Sequence, residues 1–453
     1  MFSIKAFSKN LSKLLVLIVF LGFNHSSKAV EQDSVKNNTF SMSGQFRPKF
    51  ELRDGAFRPL MKNEKPAALV SDRIRLTFDY AYKNVFSLRI TPQAVSVWGQ
   101  ATMTQGAEDK GSKFSIFETW AQVYATPEWS FKLGRQIISL DDERFFGELD
   151  WAQGGRVHDA LSILYKKEKY ELRGYFAFNQ NYRALYNNNL SNPAGSLFST
   201  NNALPYKWMQ TVWASVPIKE HSKITFLVSN LGFQNAIATT KDTVTNYTQT
   251  FGTNYNYNGS KLNVSVAAYY QMGKDLANIK NQGYMWSAAL GYNINKKWNI
   301  GIGSDMVSGN NVGATQKKSH IFTPYFHTGH KFYGFMDYFY SGNPHKNAGL
   351  SDNYLKVNFK TEKGLGLSMA FHQFVTPNKI IDGATKFSKN LGQELDLGIS
   401  YKIHKFVGLI GGYSFYLANS NINFLKNTPN AKVYQQWMWF GLNITPTFFK
   451  TNF

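Results

Sequence analysis

Polar and apolar residues alternate from Ser43 to the C-terminus with a period of two, and stripes of helical period are scarce. In Gln45-Phe46-Arg47-Pro48-Lys49-Phe50-Glu51-Leu52-Arg53 every second residue is polar. The same phase governs Arg73-Ile74-Arg75-Leu76-Thr77-Phe78-Asp79-Tyr80, Leu262 to Tyr270, Leu355-Lys356-Val357-Asn358-Phe359 and Leu395 to Ile403. Successive side chains of a strand point to opposite faces, so each segment has one greasy and one wet face. No apolar run reaches the roughly 20 residues that a spanning helix needs. The absence of cysteine removes disulfide scaffolds and thiolate metal sites.

A two-layer soluble sheet would alternate too, but three features separate a barrel from it. The connectors alternate in length. Tyr82-Lys83-Asn84, Thr126-Pro127-Glu128, Lys166-Lys167-Glu168-Lys169 and Asn295-Lys296-Lys297 are turn-sized, and longer polar stretches lie between them at 54–70, 99–114, 139–155, 180–205, 233–244, 375–390 and 419–430. Short turns at one end and long loops at the other characterise outer-membrane barrels. Tryptophans crowd strand ends (98, 120, 129, 151, 208, 213, 298, 437 and 439), as interfacial girdles require. The polar alternates are too continuous for a dry core and suit a wet lumen. The expected fold is all-β, a single antiparallel transmembrane β-barrel with short periplasmic turns and long extracellular loops. About 20 alternating segments are counted, in pairs. The final strand is expected over 435–444 with a tail, because Pro446 interrupts the last stretch of the chain; a strand starting after Pro446 is the alternative.

The N-terminus carries Lys5, Lys9 and Lys13 ahead of a 10-residue apolar core, Leu14 to Phe23, and small residues around Ala29. It is expected to be a cleaved signal peptide, 1–29. Next come a periplasmic segment, 30–42, and a barrel, 43–453. Cleavage removes four Lys and no acid from a net charge of +21, leaving +17 on the mature chain.

All 11 arginines lie in the first 183 residues, at 47, 53, 58, 73, 75, 89, 135, 144, 156, 173 and 183. Strand phase turns Arg47, Arg53, Arg73, Arg75, Arg89 and Arg173 inward with Lys49. A lipid-facing Arg costs about 2–4 kcal/mol at mid-depth. Strands adjacent in sequence are adjacent in a meander, so these cations should form one contiguous stripe. A single-sign lining concentrates anions, and guanidinium grips carboxylates bidentately. The acids Glu51, Asp79, Glu118, Asp150 and Asp159 could instead pair with these arginines and brace the wall. For any one Arg the two roles weigh about evenly.

From Ser43 to Gln180 the chain resembles the alginate-export family of outer-membrane barrels. The resemblance rests on ordered pieces: Gly44-Gln45-Phe46-Arg47, Glu51-Leu52-Arg53-Asp54, Arg73-Ile74-Arg75-Leu76, Val95-Ser96-Val97-Trp98-Gly99, Glu118-Thr119-Trp120, Leu133-Gly134-Arg135-Gln136, Asp142 to Trp151 and Gly155-Arg156-Val157-His158-Asp159. It implies an 18-strand monomeric barrel whose electropositive constriction passes an anionic polysaccharide. It also implies that Arg135, Arg144, Asp150 and Arg156 stand near that constriction. The later strands carry no Arg.

The function expected is passive, anion-selective passage of acidic saccharides or polysaccharide through the outer membrane; the alternative is a general porin for small anions or sugars. No cofactor, catalytic residue, metal ligand set or nucleic-acid partner is expected. The adjacent pair His158-Asp159 points to opposite faces and cannot act as a dyad. A plugged receptor would need a folded domain before the first strand, and a fatty-acid channel an apolar lumen. Outer-membrane lipid, lipopolysaccharide and, through the terminal Phe453, the barrel-assembly machinery are the other expected partners.

Overall fold

The computed structural model describes residues 38–453 apart from 56, 100–112, 180–205, 237–242, 275–277, 315 and 340–343. The signal peptide, most of the segment 30–42 and Arg183 lie outside the described residues. The strands are β1 (Thr39–Phe46), β2 (Lys49–Arg53), β3 (Ala67–Tyr82), β4 (Phe86–Val97), β5 (Lys113–Tyr124), β6 (Trp129–Gln136), β7 (His158–Lys167), β8 (Tyr170–Phe178), β9 (Trp208–Lys219), β10 (Ser222–Ala236) and β11 (Thr243–Asn258). They continue as β12 (Leu262–Lys274), β13 (Lys280–Asn293), β14 (Trp298–Val307), β15 (Leu350–Lys360), β16 (Leu365–Val375), β17 (Ile380–Asp382), β18 (Thr385–Phe387), β19 (Asn390–His404), β20 (Val407–Leu417), β21 (Tyr434–Ile444) and β22 (Thr447–Asn452). A short helix, α1 (Ser420–Leu425), precedes β21.

All but the small β17–β18 hairpin belong to one antiparallel meander that closes on itself. β3 pairs with both β1 and β2, and these pair in turn with β22 and β21. Each of these couples is therefore one stave broken at a proline, and the closed barrel has 18 staves. The count of 20 overshot by a hairpin's worth. The long connection 308–349 is as aromatic as a strand pair, so composition does not separate it from one.

The breaks at Pro48 and Pro446 sit beside each other in the closing seam. Proline has no N–H to give the ladder, yet its carbonyl still accepts: Gly44 donates to the Pro446 oxygen at 2.9 Å and Leu442 to the Pro48 oxygen at 3.1 Å. The expected tail after residue 444 is thus corrected. It is the paired half-stave β22, with Thr39 opposite Asn452. The barrel likewise begins at Thr39 rather than at Ser43.

Eight tight turns alternate with nine longer connections, and both ends of the barrel lie on the turn side. Along β3, Ile74 and Leu76 are exposed on the outer face, while Arg73, on the opposite phase, is fully buried and Arg75 half-buried. Four of the nine tryptophans form the outward girdle: Trp98, Trp129, Trp208 and Trp298 are exposed. The other five depart from expectation. Trp213, Trp437 and Trp439 are buried on inward phases, Trp120 shares the inward phase of β5, and Trp151 belongs to a loop inside the barrel.

Two connections fold into the lumen. The third long one, 137–157, and the seventh, 308–349, are zipped by a parallel bridge between Phe146 and Phe326, with Gly147 N–H on the Phe326 carbonyl at 2.8 Å. Phe145, Phe146, Phe322, Phe326, Tyr338 and Phe339 make their dry core against the later staves. The stretch 308–349 is the longest connection among the nine and was not among the long loops expected from sequence.

Candidate functional site

The polar pocket of the lumen is built on β3, β4 and β5 and capped by loop 137–157. A β-bulge at Thr91/Pro92 shifts the register against β5. The extra residue turns both Phe117 and Glu118 inward, where strict alternation would have allowed one. Phe117 then lies flat under Arg75, whose guanidinium carbon is 3.5 Å from the ring centroid. Arg75 Nε donates to Gln93 Oε1 at 2.6 Å, its Nη1 stands 3.6 Å from Asp150, and its Nη2 has no acceptor. Gly155 packs against that nitrogen with φ +67°; a Cβ there would come within 2.7 Å of Phe117 and 2.8 Å of Arg75 Nη2, so glycine is required. Arg75, Glu118, Thr77, Thr91 and Gln45 line a cavity of about 310 Å³.

Above it, Asp150 is held by three arginines. Arg73 Nη2 donates to it at 2.8 Å and Arg47 Nη1 at 3.1 Å, with Arg75 completing the set. Gln153 exchanges bonds with Arg47, giving its Nε2–H to the Arg47 carbonyl and receiving Nε–H on Oε1, both at 3.1 Å. The tip of the loop is thereby stitched to the wall. Burial works against the Asp150 charge, but Arg73 and Arg47 outweigh it and hold the carboxyl below its ordinary value. Its neighbour Glu148 is pushed up by burial and by the charges of Asp150 and Glu143.

Toward the turns the cations continue, each with an acid. Arg89 makes a fork to Asp79 at 2.7 and 3.2 Å and reaches Glu118 at 3.4 Å. Glu118 also accepts the Trp120 indole N–H at 3.0 Å, and Lys132 sits 4.2 Å from the Trp120 ring. Arg173 pairs with Glu171 and stacks toward Trp213. On the first stave, Lys49 pairs with Glu51 at 3.0 Å and lies over Trp151, and Arg53 rests 5.0 Å from the Trp437 ring. The stripe Arg47, Lys49, Arg53, Arg73, Arg75, Arg89 and Arg173 is inward as its phase requires, but it is threaded with acids.

Four expected lining residues are placed elsewhere. Arg135 and Asp159 form a bidentate pair, 2.8 Å on both arms, on the phase opposite to the buried Gln136 and His158, which is the outer face. They stand at the loop end of the wall, where the penalty for a lipid-facing charge falls to about 0–1 kcal/mol and pairing offsets it. Arg144 leaves the pore and is buried under loop 308–349, forked onto Asp305 of β14 at 2.9 and 3.0 Å. Arg156 donates to the carbonyls of Gly147 and His327 and so joins the two inner loops. Sequence reading missed Gln93, Phe117, Lys132 and Gln153. Lys132 alternates between Phe131 and Leu133, and Gln93 shares the phase of Arg89, so both were legible by phase; Phe117 depends on the bulge and Gln153 on loop docking.

No protein-family model matches the chain, and no curated protein matches it. Solved structures do. Pseudomonas aeruginosa OccK5 (OpdH) is similar with a TM-score of 0.59 at 9% identity, over 90% of this chain and 98% of that one. Acinetobacter baumannii OccAB3 is similar with a TM-score of 0.58 at 11% identity, over 91% and 99%. The outer membrane protein opdK of Pseudomonas aeruginosa is similar with a TM-score of 0.58 at 8% identity, over 90% and 99%. At such identities the likeness shows the barrel fold alone.

Proposed function

We propose that the protein is a passive outer-membrane channel that selects small anionic solutes, acidic saccharides among them. The carrying observation is the polar cavity lined by Arg75, a guanidinium stacked on Phe117, in a wall where cations outnumber acids. A planar carboxylate suits a guanidinium that is already oriented by Gln93 and Phe117. The cavity's size and the two loops inside the barrel favour a small solute over the polysaccharide that the alginate-export resemblance implies. The apolar outer face supports a membrane location.

Reversal potentials across planar bilayers in a salt gradient test this. The expected result is anion preference that falls about fivefold in Arg75→Glu, the factor equivalent to ~1 kcal/mol of charge interaction near water. Cation preference in the unsubstituted protein would overturn the reading.

A further inference from the structure

The turn end of the barrel carries a positive charge beyond that of the lumen arginines. The turn segments 165–170, 219–223, 294–298, 360–364 and 402–406 hold eleven lysines against three acids, Glu168, Glu220 and Glu362, and no arginine. All eleven lysines are exposed. Among the described residues, one of them has an ion pair, Lys166 beside Glu171 at 3.6 Å. This end therefore supplies much of the mature chain's positive excess, separately from the lumen arginines.

An outward aromatic belt adjoins these lysines. Trp129 packs on Tyr165 at 4.7 Å and Trp298 on Phe359 at 4.6 Å, with both tryptophans exposed. Lys405 Nζ sits 4.7 Å from the Phe406 ring, and in a further turn Lys83 sits 5.8 Å from the outward Tyr82 ring. Aromatic belts mark the headgroup level of a membrane, and lysine stems extend from there to place ammonium groups among phosphates.

We infer that the lysine collar at the turn end binds the headgroups of anionic phospholipids in the leaflet facing the periplasm. This rests on the membrane-spanning reading above. Lysine fits the task better than arginine would, being a compact, hydrated point charge on a flexible stem that tolerates many headgroup positions. A basic residue near an anionic lipid surface contributes about a fivefold preference. The placement of Lys83 beside the outward Tyr82 ring favours lipid over solute at the pore mouth.

Native mass spectrometry of the full barrel released from nanodiscs of mixed phosphatidylcholine and phosphatidylglycerol tests the collar. The expected result is phosphatidylglycerol retained about fivefold or more above its bulk share. That enrichment should drop toward bulk in K167Q/K169Q/K296Q/K297Q/K405Q and persist in the matching Lys→Arg set. K296Q/K297Q alone covers the case of a folding defect, because its turn is held by Asn295 Oδ1 accepting from the Lys297 and Trp298 N–H groups, not by either lysine side chain; it should lose part of the enrichment. Absent enrichment, enrichment unchanged in the Gln sets, or loss of low-salt anion conductance with enrichment intact would each overturn the assignment. Ion conduction in purely neutral bilayers tests the barrel reading and is indifferent to the collar.

Discussion

The inner wall has two halves that obey the same alternation and end in opposite states. From β1 to β8 it is cationic, partly wet, and lined by arginines that meet acids across neighbouring strands or from one loop tip. From β9 to β20 it carries no arginine. Its inward positions include neutral buried residues (Thr211, Thr225, Ser229, Thr250, Gln271) and acidic buried ones (Asp305, Asp352, Glu394, Asp396), with Lys356 over the Tyr354 ring as a cation among them. Loop 308–349 covers those acids. Its Met336 N–H donates to Glu394 at 2.8 Å and its Phe335 N–H to Asp396 at 3.1 Å, next to Gly334, whose φ of +81° brings bare backbone against the Glu394 carboxyl. His372 stands between Asp352 at 2.9 Å and Asp396 at 3.6 Å. The comparison teaches that the sign of this lumen depends on cover as well as on composition. Acidic residues lie opposite the arginines, and loop 308–349 covers them.

The contrast breaks most severely at Arg144, the pin between the inner loops and the acidic half. Arg144→Ala leaves Asp305 buried without its cation and should cost about 4 kcal/mol in urea unfolding from detergent. Arg144→Met with Asp305→Leu should recover most of that loss, because the buried Asp305 is no longer stranded and Asp142, the other partner, keeps contact with solvent.

Next comes the dry core. Phe326→Ala should cost about 3 kcal/mol in the same assay and open loop 308–349 to protease. Uncovering the acids should also reduce anion preference, although no arginine of the other half is changed. Intact selectivity with a cleaved loop would show that the cover has no electrostatic role. Glu394→Ala removes the carboxyl acceptor from the Met336 N–H and should cost about 2 kcal/mol, whereas Glu394→Gln keeps an acceptor and should cost less.

The mildest test is acid. Burial lowers His345 and His327, both in the covering loop, from the ordinary 6.5 to about 3. Below pH 6.5 the unfolded or undocked loop binds protons that the docked one refuses, so stability falls progressively between about 6.5 and about 3. Asp150 has the opposite order of events. Its folded value is depressed, so its contribution is present above the ordinary carboxylate range and is lost only as pH falls through the folded value. Hydrogen exchange at pH 7, 5.5 and 4.5 should show protection fading in 308–349 while 147–153 stays protected.

The outer membrane's grammar was easy to read from the chain, and the inner arrangement was not. Ile74 out and Arg73 in follow from a period of two, as do the inward Arg89 and Arg173 and the alternation of short turns with long loops. Arg135 was misplaced because the family resemblance, not strand phase, set it near the constriction, and Asp159 because it was counted among the possible inward partners of the arginines; at the rim the outer face tolerates this charged pair. The final stave was misread because Pro446 was treated as an end, when its carbonyl keeps the seam paired.

Strand phase, the outward apolar face and the confinement of arginine to one half of the wall were determined by sequence alone, since each depends on neighbours one or two residues apart. The partner of each arginine, the bulge that turns Phe117 and Glu118 inward together, and the burial of four acids beneath loop 308–349 were decided only in three dimensions. Those contacts join residues as far apart as Arg47 and Asp150 or Arg144 and Asp305. Pairings across such separations are set by where a loop docks, and a docking loop leaves no periodic trace along the chain.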